Sequence, residues 1–162
     1  MTRHAAVQPG MPHAPWRQDS PEAHDGEPPM LEARGLCAGY RDRPVLQHVS
    51  FTARRGESLA LLGPNGSGKT TLLRCLSGVL RARAGHVFLQ GSPVAGLKAR
   101  QRARLAAVVP QGGSFPQELT ARQMVLLGRY PHLSWLGSYG RRDHEAVDAA
   151  LAPSRASRYA RR

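Results

Sequence analysis

The chain has 162 residues, of which 41% are hydrophobic and 6% aromatic, so there is room for one domain with a modest core. Lysine and arginine number 23 against 11 acidic residues, giving a net charge of +12. This balance suits a nucleotide, a nucleic acid or an anionic membrane surface, and a compositional bias toward arginine explains it equally well. No basic face with interleaved aromatic residues is present, which disfavours nucleic acid as a partner.

Other patterns exclude further classes of protein. The sequence shows no apolar core of a signal peptide and no apolar stretch of the ~20 residues that a membrane span needs, so direct membrane insertion is not expected. Cys37 and Cys75 do not have a metal-binding or redox spacing. We therefore expect both to be free thiols in a reducing compartment.

Three segments differ in composition. Residues 1–29 carry six prolines, few apolar residues and no periodicity, and predict a disordered leader. Residues 30–152 show strand and helix patterns and predict the folded domain. Residues 153–162 have no apolar periodicity and carry four arginines with no acidic residue, and form a basic tail.

Within the folded segment, strand patterns come first and helical patterns follow. The predicted strands and turns are strand Leu31–Tyr40, turn 41–44, strand segments at 45–46 and 49–51, turn 55–57, strand Ser58–Leu62, strand 86–89 ending at Gly91, and apolar strand 105–110. The predicted helices are 71–76 with Gly78 as its stop, 98–104, 120 to about 127 with a capping box, and 143–151.

A glycine-rich loop stands between the strand at 58–62 and the helix that follows it. Its residues are Gly63, Pro64, Asn65, Gly66, Ser67, Gly68, Lys69 and Thr70, a complete GxxxxGK[ST] pattern. Glycine lets successive backbone N–H groups point at one phosphate chain, and the start of the helix adds its positive dipole. Lys69 is expected to reach the β- and γ-phosphates, and the Thr70 hydroxyl to bind the Mg²⁺ of the nucleotide. A glycine-rich turn with a surface lysine is the alternative.

Three features occur in a fixed order: Tyr40 at a strand end, the loop 63–70, and Val108-Val109-Pro110-Gln111. In this order the chain resembles the front part of an ATP-binding cassette (ABC) transporter ATPase subunit. The resemblance implies an α/β P-loop NTPase fold, with a β-rich N-terminal subdomain, a partial α/β core and the C-terminal part missing. It also implies ATP and Mg²⁺ as cofactors, and a second ATPase subunit and a membrane permease as partners.

The resemblance assigns roles to individual residues. Tyr40 corresponds to the aromatic that stacks on adenine, with a packed core tyrosine as the alternative. Gln111 corresponds to the glutamine of the Q-loop, which reaches Mg²⁺ and the attacking water and contacts the permease, with an exposed loop residue as the alternative. Thr71 corresponds to a second hydroxyl residue that bonds a phosphate oxygen.

A narrower likeness lies downstream. Residues 125–137 resemble the subfamily that powers uptake of iron-siderophore complexes, haem and cobalamin, and in it residues 128–137 face the permease. Tyr130, His132 and Trp135 are therefore expected to dock there, although a proline-broken loop of any ABC importer would look similar.

The chain also departs from the family. It contains no LSGGQ signature, no Walker B aspartate followed by the catalytic glutamate, and no switch histidine. The tail at 153–162 suggests a frameshift or truncated gene as the cause, with a functional basic arm as the alternative.

Together these features predict an ATP-binding importer subunit that lies in the cytoplasm, held at the inner face of the membrane through a permease. It is expected to bind ATP without hydrolysing it. The alternatives are another P-loop enzyme, such as a small-molecule kinase, and a basic nucleic-acid-binding or interaction protein.

Overall fold

A computed structural model of the chain describes residues 2–6, 27–112, 119–133 and 137–153, with only the backbone described at 2–6. The chain divides into two compact units, Met1–Ala106 and Ala107–Arg162. Among the described residues, none of the helices has both the length and the apolar content that crossing a bilayer requires.

The first unit is built around an antiparallel sheet. Its strands are β2 (Leu31–Tyr40), β3 (Arg43–Ala53), β5 (Ala84–Leu89) and β6 (Ser92–Pro93), in the order β3-β2-β5-β6. The prediction of a strand at Leu31–Tyr40 is confirmed. The two segments predicted at 45–46 and 49–51 form the single strand β3, with an irregularity at His48, whose φ is 50°. The predicted turn at 41–44 shrinks to Arg41–Asp42, because β3 already begins at Arg43.

A helix and a parallel strand pair complete this unit around the site. Strand β4 (Ser58–Leu62) has the predicted bounds, and helix α1 (Lys69–Leu76) begins at Lys69, where the phosphate-binding pattern predicts its start, and ends at the predicted Leu76. Leu36 of β2, Leu46 of β3 and Leu72 of α1 are fully buried and form the centre of the core. Burying these three side chains contributes about 1.5–3 kcal/mol each, which holds α1 against the sheet.

The basic helix predicted at 98–104 is confirmed within one residue as α2 (Ala99–Leu105), which follows a short 3-10 turn at Val94–Gly96. The Gln101 side chain accepts a hydrogen bond from the backbone N–H of Lys98 (2.8 Å) and satisfies one of the free donors at the start of this helix.

In the second unit, helix α3 (Ala121–Leu127) begins with the predicted capping box: Thr120 Oγ1 accepts from Gln123 N–H (3.2 Å) and Gln123 Oε1 accepts from Thr120 N–H (2.8 Å). Helix α4 (Arg141–Leu151) includes the predicted 143–151 segment and buries Val147 and Leu151. Arg122 of α3 bonds Asp148 of α4 at 3.0 Å, so the two helices are joined by a surface ion pair.

The prediction of a strand at 105–110 is wrong. Leu105 ends α2, and residues 106–110 have no regular structure, with Val108 and Val109 61% and 92% exposed. An apolar run becomes a strand only when a neighbour pairs with its backbone groups. No strand in the described part of the chain pairs with this segment.

Within the segment 1–29, for which a disordered leader was predicted, Thr2–Ala6 form strand β1, parallel to β4 in the register Thr2 with Ser58. The edge of β4 offers backbone N–H and C=O groups, and an extended segment of almost any sequence can form hydrogen bonds with them. Strand β1 takes this position. Residues 7–26 lie outside the described residues, as do Trp135 and residues 154–162. The domain boundaries themselves stay predictions.

Candidate phosphate-binding site

The structure brings the predicted loop residues together between β4 and α1. Gly66 and Gly68 have φ values of 85° and 92°, a backbone region that other L-residues enter at a cost. A Cβ atom on Gly68 would lie 3.0 Å from Leu46 Cδ2 and 3.1 Å from Val45 Cγ1. Gly68 is therefore required both for its backbone angle and for the close packing of the loop on β3.

Lys69 lies across its own loop. Its Nζ donates hydrogen bonds to the carbonyl oxygens of Gly63 (2.7 Å) and Pro64 (2.8 Å). An ammonium group has three donors, so one of them is not used by these two bonds. This arrangement places a positive charge at the mouth of the loop, where an anion would lie.

Ser67 is the most informative residue of the site. It is only 3% exposed, and among the described residues its Oγ is a buried side-chain oxygen without a hydrogen-bond partner. Leaving a buried hydroxyl unpaired costs about 1–3 kcal/mol, so such groups are usually satisfied. A phosphate oxygen in the loop would satisfy it, and the residues therefore fit a phosphate-bearing ligand.

The start of helix α1 adds to this fit. The first N–H groups of a helix have no partner within the helix, and its N-terminus carries about half a positive charge. Thr70 is exposed at this end and Thr71 is buried. The Thr70 hydroxyl is an oxygen donor of the kind that Mg²⁺ prefers.

Tyr40 contacts the far end of α1 through Arg74, a residue that the sequence interpretation missed. Arg74 Nη1 donates to the Tyr40 hydroxyl (2.8 Å), and the guanidinium carbon lies 6.0 Å from the ring centre. The hydrogen bond from Arg74, and then a hydrogen bond with Thr71, lower the pKa of Tyr40. Thr71 and Arg74 are three residues apart and so share one helix face. This spacing indicates that both side chains can reach one neighbouring residue, here Tyr40.

Tyr40 remains 41% exposed, so it is not the fully packed core tyrosine that was the alternative for it. One part of the ring is available to a ligand, while the hydroxyl is held on the helix.

The other predicted site residues lie in the second unit. Gln111 and His132 are exposed, and Tyr130 is 69% exposed. Among the described residues there is no group of three or more His, Cys, Asp or Glu side chains that could hold a metal ion. The roles assigned to Gln111, Tyr130 and His132 stay predictions.

The chain is similar to known proteins of one family. A protein-family model described as "ABC transporter" matches residues 46–160. The chain is 39% identical over 121 residues to the "Probable siderophore transport system ATP-binding protein YusV" of Bacillus subtilis, covering 75% of the chain and 44% of that protein. It is 38% identical over 133 residues to the "Hemin import ATP-binding protein HmuV" of Gloeobacter violaceus, covering 82% and 48%.

A solved structure described as "ATP binding subunit of ABC transporter" superposes with a TM-score of 0.66 at 27% identity, covering 80% of this chain and 52% of that one. The chain thus spans about half the length of the curated relatives it matches.

Proposed function

Because the chain belongs to the ABC transporter family of ATP-binding domains, with its P-loop NTPase fold, we propose that it is the ATP-binding part of an importer. The printed names of its relatives support this, since they describe siderophore and hemin import. We propose an iron-siderophore, haem or related metal-chelate compound as the transported substrate.

The buried, unpartnered Ser67 hydroxyl is the single observation that carries ATP binding. In this proposal, backbone N–H groups of the loop after Pro64 (residues 65–68) and of the start of α1 bind the phosphates. Lys69 contacts the β- and γ-phosphates after exchanging at least one of its loop carbonyls for a phosphate oxygen. ATP, when bound, would supply the transferable γ-phosphoryl group, and the Thr70 hydroxyl would supply an oxygen ligand for Mg²⁺. The role of Gln111 toward Mg²⁺ stays a prediction.

Tyr40 supports the adenine end of the same proposal. Its ring is partly exposed, and its hydroxyl is held by Arg74 and Thr71, which restrains the ring before a base arrives. A restrained aromatic face loses less entropy on stacking than a free one. The Thr71 hydroxyl then has two candidate partners, the Tyr40 hydroxyl and a phosphate oxygen.

The Lys69→Ala variant tests nucleotide binding. We expect it to weaken the binding of a fluorescent ATP analogue at least about tenfold, since a hydrogen bond between charged groups contributes about 1.5–3 kcal/mol. Lys98→Ala is the matched control, because Lys98 is the other lysine of the chain and is exposed before α2. Equal affinity of Lys69→Ala and the wild type would contradict the proposal.

We also propose that the segment containing Gln111 and residues 128–137 contacts a permease, which would hold the protein at the inner membrane face. Exposed Tyr130 and His132 support this, because apolar and aromatic groups gathered at a surface suit an interface. The double variant Tyr130→Ser with His132→Ser should lose co-purification with a metal-chelate importer permease, whereas Arg142→Ser should retain it.

A further inference from the structure

A cavity of about 580 Å³ lies in the first unit, at the end of α1 that is remote from the glycine-rich loop at residues 63–70 (the phosphate loop). Its wall carries four basic side chains, Arg81, Arg83, His86 and Arg102, and none of the described residues that line it is an aspartate or glutamate. Helix α1 has eight residues and so is about 12 Å long, which separates this cavity from the phosphate loop by the length of the helix.

The position of Arg102 is determined by its neighbours. Its Nη1 donates to the carbonyl oxygen of Leu97 (2.7 Å), and its Cδ and Nε lie 2.8 Å from where a Cβ of Gly78 would be. A glycine at 78 therefore makes room for the arginine. The guanidinium is held at the cavity wall with most of its five N–H donors still unused by this bond.

The acidic side chains of the described residues do not form ion pairs with this wall. In the described ranges, none of the ion pairs includes Arg81, Arg83, His86 or Arg102. Several like charges that converge on one concave surface repel one another unless an anion lies between them. The charge arrangement thus favours an anionic ligand.

Capping of α1 does not explain the arginines. The carbonyl oxygen of Arg74 already accepts from the N–H groups of Val79 and Leu80 (both 2.9 Å), and that of Cys75 accepts from Gly78 N–H (3.0 Å). The last turn is satisfied by the chain that follows it, so its carbonyls do not require the guanidinium groups.

The inner part of the cavity is apolar. Cys75, Val87 and Val94 are at most 8% exposed there, and Leu80 lies beside them. Burial raises the pKa of the Cys75 thiol, so the thiol is neutral and the inner surface carries no charge. A ligand with one apolar part and one anionic part matches both regions.

From this cavity we infer a second anion-binding site, which takes a phosphate monoester or diester attached to a small apolar group. The phosphate lies among Arg81, Arg83 and Arg102, since guanidinium groups bind phosphate through paired hydrogen bonds, and the apolar group lies over Val87 and Val94. The site goes beyond ATP binding in the phosphate loop. The same chemistry occurs in soluble phosphorylated metabolites and in anionic lipid headgroups.

The test uses phenyl phosphate as the probe and isothermal titration calorimetry as the measurement. The full chain carries Lys69→Ala throughout, so that capture by the phosphate loop is suppressed and failure of the proposed ATP site is not confused with failure of this one. We expect Arg81→Gln with Arg83→Gln to weaken phenyl phosphate binding at least about tenfold. Both side chains are exposed, so this variant should keep its fold, which a thermal melt verifies.

The control is Arg43→Gln with Arg55→Gln, which removes the same charge from exposed positions outside the cavity. An equal loss of binding in the control would mean non-specific attraction to a basic chain and would overturn the site. A second measurement tests binding to phosphatidylcholine vesicles that contain phosphatidylglycerol. The site would also be overturned if the chain bound no phenyl phosphate and if its vesicle binding were the same with and without the cavity arginines. Vesicle binding that only the cavity variant loses identifies a lipid headgroup, and phenyl phosphate binding alone identifies a soluble phosphate ester.

Discussion

Gly68 combines two constraints that can be separated by mutation. In Gly68→Ala, an alanine at a φ of 92° should lower the free energy of unfolding by about 1–2 kcal/mol. The contacts of its Cβ with Leu46 and Val45 should lower it by about 1–3 kcal/mol more. We expect the free energy of unfolding, measured by urea denaturation, to fall by the sum of the two terms.

Gly56→Ala provides the comparison for this prediction. Gly56 has a φ of 74°, but a Cβ there meets no atom within 4 Å, so only the backbone term applies. If both variants lose the same stability, the packing of the phosphate loop on β3 is not what selects glycine at position 68.

The contact between Tyr40 and Arg74 should be visible in the ionisation of the tyrosine. Because the guanidinium favours the tyrosinate, the pKa of Tyr40 is lowered, and Arg74→Gln should raise it toward its ordinary value of about 10. The measurement is a titration of tyrosinate absorbance, with the Tyr40→Phe curve subtracted to remove the other tyrosines. Arg55→Gln is the control, and an unchanged midpoint in Arg74→Gln would disprove the contact.

At the level of elements, the start of α4 depends on one carboxylate. Asp143 accepts hydrogen bonds from Gly140 N–H (3.0 Å) and from Arg129 Nε (3.0 Å), and these two bonds, in that order, lower its pKa. A carboxyl whose folded pKa lies below its unfolded value of about 3.9 stabilises the protein above that value. This stabilisation is lost as the pH falls through the folded pKa.

Asp143→Asn should therefore reduce stability at neutral pH, and the difference from the wild type should shrink as the pH falls below about 4. Thermal melts across this pH range measure it. Asp148→Asn is the matched control, since Asp148 pairs with Arg122 and caps no helix. A stability difference for Asp143→Asn that stays constant with pH would contradict the role of the carboxylate.

The elements also show which structure can be predicted from sequence. Strands β2 and β4 and helices α1, α2, α3 and α4 were predictable because caps, turns and apolar periodicity are local signals. The exposed segment 106–110 and strand β1 were not, because pairing depends on which distant backbone edge is available. Apolar content at Val108 and Val109 predicted burial that only a neighbouring strand could have supplied.

At the scale of the whole molecule, the phosphate loop was predictable because it is contiguous in sequence, with its glycines and lysine at fixed spacing. The contacts between residues that are distant in the sequence were not predictable. Arg74 reaches Tyr40 across 34 positions, and the basic cavity joins residues 75–102 from five local segments. Such sites are defined by tertiary packing, so their residues carry no local pattern.

Turnover of ATP requires more side chains than binding does. In P-loop ATPases, Mg²⁺ is held by the loop hydroxyl and a Walker B aspartate, and a further residue orients the attacking water. In this chain no aspartate follows an apolar quartet or precedes a glutamate, so the proposed Mg²⁺ ligand Thr70 has no Walker B aspartate beside it in the sequence pattern. We expect ATP to bind to the purified 162-residue chain while phosphate release stays at the rate of the buffer.

Binding and phosphate release should be measured on the same sample, so that a lack of turnover is not confused with an unfolded phosphate loop. A full-length ABC ATPase in the same assay shows that the conditions support hydrolysis, and Lys69→Ala identifies contaminating activity, because a contaminant does not depend on Lys69. The prediction would be contradicted if the chain released phosphate faster than buffer and if Lys69→Ala abolished this release. The residues of this chain would then activate water without a Walker B acid. Gln111→Ala would then be the next variant to test, since Gln111 is the remaining side chain assigned to the water.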